Sequence, residues 1–259
     1  TKRVFLHIIY IKSKKDGKVM NISERILKNP IDDGWYADPE ARIYEGMYVI
    51  YATRSLPFDE QKNQVCFTST DLVHWEKHED IIDMSGFPWA TRAIWAPTVI
   101  DKNGKYYYVF ASGDIHSEET KGGLEIAVSD SPVGPFRALM DAPLVNGFYH
   151  GAQPIDAHLF KDDDGNYYMY FGGLWGGQLQ SYRDNKPVED PAVNNTPDSP
   201  NLPHGSEPSL PSRMVKLSDD MLQFAEEPKP IFVVDENGKP LAADDPHRFF
   251  EASWMHKYN

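Results

Sequence analysis

The sequence is short of three things: cysteine, long apolar runs and positive charge. The single cysteine, Cys66, cannot form an internal disulfide, and no cysteine–histidine cluster has the spacing of zinc ligands. No apolar run approaches the about 18 to 20 residues that a membrane-spanning helix needs. Lys and Arg number 26 against 39 Asp and Glu, a net charge of −13, so nucleic acid and anionic membrane are poor candidates as partners. A buried core must therefore hold the fold together.

The chain opens with a short apolar run, Val4–Ile11. It resembles the core of a signal peptide, but it contains His7 and leads into Lys12 with no small-residue cleavage site. We therefore predict a strand here, with a signal remnant as the alternative, and a cytoplasmic location.

One pattern of a turn followed by an aromatic strand occurs three times. The copies are Tyr44–Tyr51, Lys102–Phe110 and Asp163–Phe171, each with a glycine at the turn and tyrosines after it. The turn glycines, Gly46, Gly104 and Gly165, lie 58 and then 61 residues apart. Because no long stripe of helical period appears anywhere, the sequence predicts an all-β protein built from a repeat.

A Ser-Asp signature follows each aromatic strand. Its aspartates, Asp71, Asp130 and Asp219, lie 59 and then 89 residues apart, so the third unit holds an insertion. The stretch 185–211 is the candidate, since its seven prolines exclude a continuous strand. A unit of about 60 residues made of short antiparallel strands has the size of a propeller blade, which we favour over a sandwich.

The last ten residues, Phe250–Asn259, repeat the form of Ile155–Lys161, a polar apex followed by a strand that leads to a turn. We therefore predict that residues 1–259 form a single incomplete β-propeller domain of about three and a half blades, with 185–211 as a proline-rich inserted loop. The ring would be completed by a complementing C-terminal chain or by a second copy in a homo-oligomer.

Acidic residues recur at the start of what would be the innermost strand of each blade. Asp38 lies 8 residues before Gly46, Asp156 lies 9 before Gly165, and Glu251 lies 8 before Asn259. The second blade has Trp95 at this place, 9 residues before Gly104. An acid here can simply cap a loop or form a turn, but three at matched phase would meet at the propeller axis.

Carboxylates that lie close together at one end of the propeller axis shift one another's pKa values apart, which suits acid–base chemistry. Hydrolysis of a glycoside needs one protonated carboxylic acid and one ionised carboxylate on either side of the sugar. Trp95 and Trp35 offer flat apolar walls for a sugar ring, and Trp254 stands near an acid. Arg92 and His158 are further candidates for substrate binding, with packing as the alternative for His158. The sequence therefore indicates a glycosidase site.

The motifs Tyr36-Ala-Asp-Pro-Glu, Trp95-Ala-Pro, Pro154-Ile-Asp and Phe250-Glu-Ala-Ser-Trp together resemble glycoside hydrolase family 43. This resemblance implies a five-bladed β-propeller and hydrolysis of polysaccharides that contain xylose or arabinose. It implies Asp38 as the general base, Asp156 as the carboxylate that raises the pKa of the acid and orients it, and Glu251 as the general acid. It also implies inversion at the anomeric carbon.

Within the family, the runs Phe171–Gln180 and Arg248–Asn259 look like β-xylosidase-type members, so a β-xylosidase is the favoured function. The first half looks closer to another branch, which leaves a chimeric member beside a C-terminally incomplete one. The alternatives are an α-L-arabinofuranosidase, an endo-arabinanase, or a non-catalytic sugar-binding propeller fragment. A pentose-containing oligosaccharide is the expected partner. No cofactor is expected to be required, although the resemblance raises calcium or another divalent cation near the axis, with no ligand assigned.

Overall fold

The computed structural model describes residues 30–90, 93–112, 123–146, 154–173, 182–183, 186–187 and 205–258. The predicted strand Val4–Ile11 and the candidate Arg92 lie outside the described residues, and the predicted location stays a prediction. Within the described ranges, no helix has the length and apolar character to cross a membrane.

The described strands are short and arranged antiparallel in sheets. They are β1 Tyr36–Tyr44, β2 Met47–Arg54, β3 Val65–Ser69, β4 Glu76–His78, β5 Ile94–Lys102, β6 Lys105–Ser112, β7 Gly123–Ser129, β8 Arg137–Ala138, β9 Val145–Asn146, β10 His158–Lys161, β11 Tyr167–Phe171, β12 Tyr182–Arg183, β13 Lys186–Pro187, β14 Ser212–Lys216 and β15 Lys229–Ile231. Three sheets have the spatial orders β1-β2-β3-β4, β5-β6-β7-β8 and β10-β11-β14-β15, while β9 pairs with β7 and β12 with β13. The all-β class is confirmed.

The repeated glycines form the hairpin turns that open each sheet. Glu45 and Gly46 both have positive φ, 52° and 84°, and so do Asn103 and Gly104, at 51° and 76°. Two successive residues of positive φ make the two-residue hairpin whose twist matches that of the flanking strands. At the third hairpin, Gly165 (φ 81°) closes a turn one residue longer, since the N–H of Asp162 still pairs with the C=O of Asn166 at 3.0 Å.

The Ser-Asp signature forms turns through side-chain oxygens. Asp71 accepts hydrogen bonds from the backbone N–H groups two and three residues further on. In the third sheet Asp220 plays this part, and the hydroxyl of Ser218 donates to it. The expected equivalence of Asp219 with Asp71 is therefore wrong by one residue. Asp219 accepts instead from Nζ of Lys102 on β5, at 2.9 Å, which joins the second sheet to the third.

Both faces of the second sheet are buried, which shows that the sheets pack face to face in chain order. Tyr108 and Phe136 pack on one side against Tyr51 of the first sheet. Leu124 packs on the other side in a cluster that includes Leu159 of the third sheet. Successive residues of a strand point to opposite faces, so β6 supplies both clusters at once. Face-to-face stacking of four-stranded sheets is how propeller blades bury their core.

Cys66 lies on β3 with no exposed surface. Burial raises the pKa of its thiol to about 12. Cys66 therefore packs as an apolar residue of a core strand.

The proposed insertion separates β11 from β14, and these two strands still pair, with Tyr168 opposite Lys216 and Phe171 opposite Arg213. The short β13 within it belongs to a separate two-stranded sheet with β12. Residues 188–204 lie outside the described residues, so the predicted excursion of 185–211 and the single-domain boundary stay predictions.

Residues 250–258, where the sequence predicts the first strand of a fourth blade, form no described strand. These residues run as an irregular segment beside the third sheet, to which Lys257 is joined by ion pairs with Asp162 and Asp163.

The packing of the first two sheets can be tested at Phe136, which is fully buried and whose ring lies 4.6 Å from that of Tyr108. We expect Phe136→Ala to lower the free energy of unfolding by about 3 to 5 kcal/mol, because it removes a ring and leaves a cavity. Urea unfolding followed by circular dichroism measures this. Phe58→Ala, at a ring that is 37% exposed, is the matched control and should cost at most about 1 kcal/mol. Equal losses for the two variants would contradict the assigned core.

Candidate active site

The innermost strand of each sheet is entered through one residue in the left-handed region of backbone conformation. These residues are Asp38, Ala96, Asp156 and Ala252, with φ of 50°, 47°, 54° and 60°. In β1 the pairing with β2 shifts by one residue across this point, and β5 shows the same irregularity against β6. Such a bulge bends the strand and turns its side chains toward a new direction. A residue of positive φ therefore stands at the start of each repeat, and Ala252 is its fourth occurrence.

The left-handed residues correct the alignment of the predicted acids. Asp38 and Asp156 are equivalent, but their counterpart in the second sheet is Ala96, so Trp95 lies one position earlier. Glu251 likewise precedes the left-handed Ala252 and is therefore the counterpart of Trp95. The expectation that three acids and one tryptophan share one structural position is wrong by one residue for both Trp95 and Glu251. For Trp95 the cause is the longer turn at Gly165, which adds one residue to the distance of Asp156 from that glycine.

Hydrogen bonds between adjacent sheets fix this end of the strands. Two residues after Asp38, Oε1 of Glu40 accepts the backbone N–H of Val99 at 3.0 Å. At the equivalent place in the second sheet, Oγ1 of Thr98 accepts the N–H of Leu159 at 2.9 Å. Each sheet thereby holds the next at the axis, and the acids that precede these residues are held with it.

A cavity of about 410 Å³ lies where these strand starts meet. Segments 38–40, 96–97, 156–158 and 252–254 line it, so four different parts of the sequence contribute. The volume falls in the range of about 300 to 1,000 Å³ typical of small-ligand sites. Asp38 and Asp156 are part of the wall, as the sequence predicts.

Two of the predicted acids act electrostatically on the third. Burial, and after it the negative charges of Glu251 and Asp38, together raise the pKa of Asp156 to about 7. The N–H of Ala252 donates to Oδ2 of Asp156 at 3.1 Å and opposes the shift in part. A carboxyl that exchanges its proton near pH 7 beside two others gives the site both an acid and a base under neutral conditions.

Glu40 is a site residue that the sequence reasoning missed. Its carboxylate is 6% exposed, lines the cavity, and accepts from Nε of Arg42 at 2.7 Å. Nδ1 of the predicted His158 lies 3.2 Å from its other oxygen, Oε2. Burial favours the neutral acid, but the hydrogen bond from His158 and the charge of Arg42 outweigh it, so the pKa of Glu40 lies below its usual range. A usable sequence signal existed, because Glu40 and His158 each lie two residues beyond a predicted acid and so share its side of the strand.

The predicted aromatic walls are placed differently from one another. Trp254 lines the cavity and lies 5.3 Å from the ring of His158. Trp95 is not in the described lining; its Nε1 donates to Gln61 and its ring packs beside Phe58. Trp35 is 84% exposed and is likewise not in the described lining. The substrate-binding roles of Trp95, Trp35 and Arg92 stay predictions.

The described residues contain no group of three or more His, Cys, Asp or Glu side chains arranged to hold a metal ion. The divalent cation that the resemblance raises has no fitting ligand set among them. No step of a mechanism is derived through it.

The cavity at the axis brings Asp156, a carboxyl with a raised pKa, together with a second acid, Asp38, and with the aromatic ring of Trp254, an arrangement suited to hydrolysis of a glycoside. The model of the family described as glycosyl hydrolases family 43 matches residues 27–192. A β-xylosidase of Xylanibacter ruminicola is 39% identical over 244 residues, covering 87% of this chain and 69% of that protein. A xylosidase/arabinosidase of Bacteroides ovatus is 40% identical over 238 residues, covering 87% and 68%. The chain belongs to glycosyl hydrolase family 43.

Comparison with solved structures gives the same family assignment. A β-xylosidase/α-arabinofuranosidase from a compost microbial metagenome, in complex with xylotriose, superposes with a TM-score of 0.72 at 35% identity, covering 90% of this chain and 70% of that one. A family 43 enzyme of Xanthomonas citri, complexed with xylose, gives 0.71 at 32% identity, covering 89% and 66%. The predicted five-bladed propeller and the glycosidase class are confirmed, and the chain spans about two thirds of the length of these relatives.

The raised pKa of Asp156 predicts how stability changes with pH. Since the folded protein holds this proton up to about pH 7 and the unfolded chain releases it near pH 4, the free energy of unfolding should fall as pH rises between these values. Asp156→Asn removes the charge and should therefore stabilise the protein at pH 8 by about 2 to 4 kcal/mol, with no gain below pH 4. Urea unfolding across this pH range measures it.

The matched control is Asp141→Asn, at an exposed aspartate. It should leave the pH dependence as it is. A gain for Asp156→Asn that is the same at pH 4 and pH 8 would contradict the raised pKa.

Proposed function

We propose that this protein removes xylose or arabinose from hemicellulose-derived oligosaccharides, with β-xylosidase action favoured and inversion of configuration. The observation that carries the proposal is the pair Asp38 and Asp156 in the wall of a sugar-sized cavity, with Glu251 close enough for its charge to raise the pKa of Asp156. Relatives named β-xylosidase and xylosidase/arabinosidase support the choice of pentose. An α-L-arabinofuranosidase or endo-arabinanase is the nearest alternative, and relatives at 28% and 26% identity carry names of these kinds.

In the proposed mechanism, Asp38 activates a water molecule for attack on the anomeric carbon. It is suited to this because it is exposed and lines the cavity, where water reaches it. Glu251 protonates the departing oxygen on the opposite face of the sugar. Asp156, whose pKa is coupled to the charge of Glu251, keeps a proton within this pair at neutral pH. The N–H of Ala252, the neighbour of Glu251, holds Asp156 in place.

The partner beyond the substrate stays a prediction: a complementing C-terminal chain or a second copy that closes the ring. The non-catalytic alternative is less well supported, because a binding site gains nothing from a carboxyl that titrates near pH 7.

The roles of Asp38 and Glu251 can be distinguished with two substrates whose leaving groups differ in their need for a proton. Glu251→Gln should lower kcat/KM for xylobiose by about 10²- to 10⁴-fold but affect a dinitrophenyl xyloside far less, since only the first needs a proton on its leaving oxygen. Asp38→Asn should lower both rates alike, because water must be activated whatever group departs. Steady-state hydrolysis of the two substrates measures the split.

Glu236→Gln, on an exposed turn, is the control for the loss of one carboxylate and should leave both rates as they are. Equal losses on the two substrates in Glu251→Gln would remove this residue from the acid role. Hydrolysis of an aryl arabinofuranoside in place of the xyloside would favour the alternative function.

A further inference from the structure

The pair formed by Glu40 and His158 lies within the cavity wall and is almost completely buried, at 6% and 2% exposure. The carboxylate of Glu40 receives three donors: Nε of Arg42, the N–H of Val99 and Nδ1 of His158. A carboxylate that accepts three hydrogen bonds in this way is ionised and held in a fixed position.

Because an ionised carboxylate only accepts, the proton of the imidazole ring must lie on Nδ1. The other ring nitrogen, Nε2, is then a hydrogen-bond acceptor whenever His158 is neutral. It is buried, and among the described residues it has no hydrogen-bond partner. A buried polar atom without a partner destabilises a protein, so a site of this kind is normally filled by a ligand or by ordered water.

The wall around His158 narrows the identity of that ligand. Trp254 packs 5.3 Å from the imidazole ring and is itself 65% exposed, which leaves an apolar surface open beside the acceptor. Asp156 lies two residues from His158 and lines the same cavity. An aromatic face next to fixed hydrogen-bond acceptors matches the apolar ring face and the hydroxyl groups of a sugar.

We propose that Nε2 of His158, fixed as an acceptor by Glu40, binds one ring hydroxyl of the terminal pentose, and that Glu40 acts as the positioning residue for this contact. The inference rests on the proposed function and adds to it a residue pair that selects the substrate by a hydroxyl. A site built to bond a hydroxyl discriminates against an analogue without it more strongly than an apolar pocket can.

The test measures binding of methyl β-xyloside and its three deoxy analogues by calorimetry and by tryptophan fluorescence. His158→Asn is the sharp variant, since its amide can still donate to Glu40 in the place of Nδ1 while nothing replaces Nε2. We expect it to weaken binding of the parent xyloside about tenfold, the worth of one hydrogen bond in a buried site. His158→Gln, which extends an amide toward the place of Nε2, should recover part of the loss.

The deoxy analogues distinguish binding of a hydroxyl by His158 from a purely structural role of this residue. With the unchanged protein, one of them should bind about tenfold more weakly than the parent; with His158→Asn, that same analogue should bind no worse than the parent. Losses that simply add, or a Kd unmoved by His158→Asn, would overturn the assignment.

Glu40→Gln gives an independent arm, because the amide no longer dictates which ring nitrogen carries the proton. It should weaken binding of the same parent xyloside. Its unfolding midpoint is compared with that of His158→Asn, which is the reference for correct folding. Binding unchanged in Glu40→Gln would overturn its positioning role. Failure of the unchanged protein to hydrolyse any xyloside or arabinofuranoside would instead overturn the proposed function, so the two failures are distinguishable.

Discussion

The hydrogen bonds between adjacent sheets at the axis are the constraint on which the rest of the structure depends. Glu40 accepts from Val99 and Thr98 accepts from Leu159, so each inner strand is fixed by the side chain of the sheet before it. These bonds lie directly beyond the left-handed residues Asp38, Ala96 and Asp156. The residues that hold the sheets in place are therefore also those that set the direction of the acids, and a shift of one sheet would alter the cavity wall at several points.

The electrostatics of the site follow from this placement. Asp156 lies close enough to Glu251 and Asp38 for their charges to raise its pKa, and burial raises it most. The pKa of Glu40, at the same axis, is lowered instead, because His158 donates a hydrogen bond and Arg42 supplies positive charge. Asp156 lies at a strand start and Glu40 lies two residues beyond the equivalent strand start. Their pKa values differ because their neighbours differ, as acid–base chemistry at neutral pH requires.

Much of this arrangement was predictable from local patterns. The turn glycines and aromatic strands identified the sheets, and the acids at Asp38 and Asp156 were found by their distance from those turns. The same count misplaced Trp95 by one residue, because the hairpin at Gly165 is one residue longer and a count cannot register that. Glu251 was misplaced by one residue because its count started at Asn259 and not at a turn glycine. The pair of Glu40 and His158, 118 residues apart, arises only when the sheets pack around the axis.

The left-handed backbone at Asp38 and Asp156 limits how these positions can change during evolution. Among residues with a Cβ, Asp and Asn tolerate this conformation best, whereas branched or bulky side chains are strained there. Ala adopts the same conformation at Ala96 and Ala252, so the constraint falls on branched and bulky substitutions, and the smallest step is to Asn, which keeps the backbone and removes the charge. A lineage that lost hydrolysis by this route would retain an intact sugar-shaped cavity, which is a short path from an enzyme to a lectin.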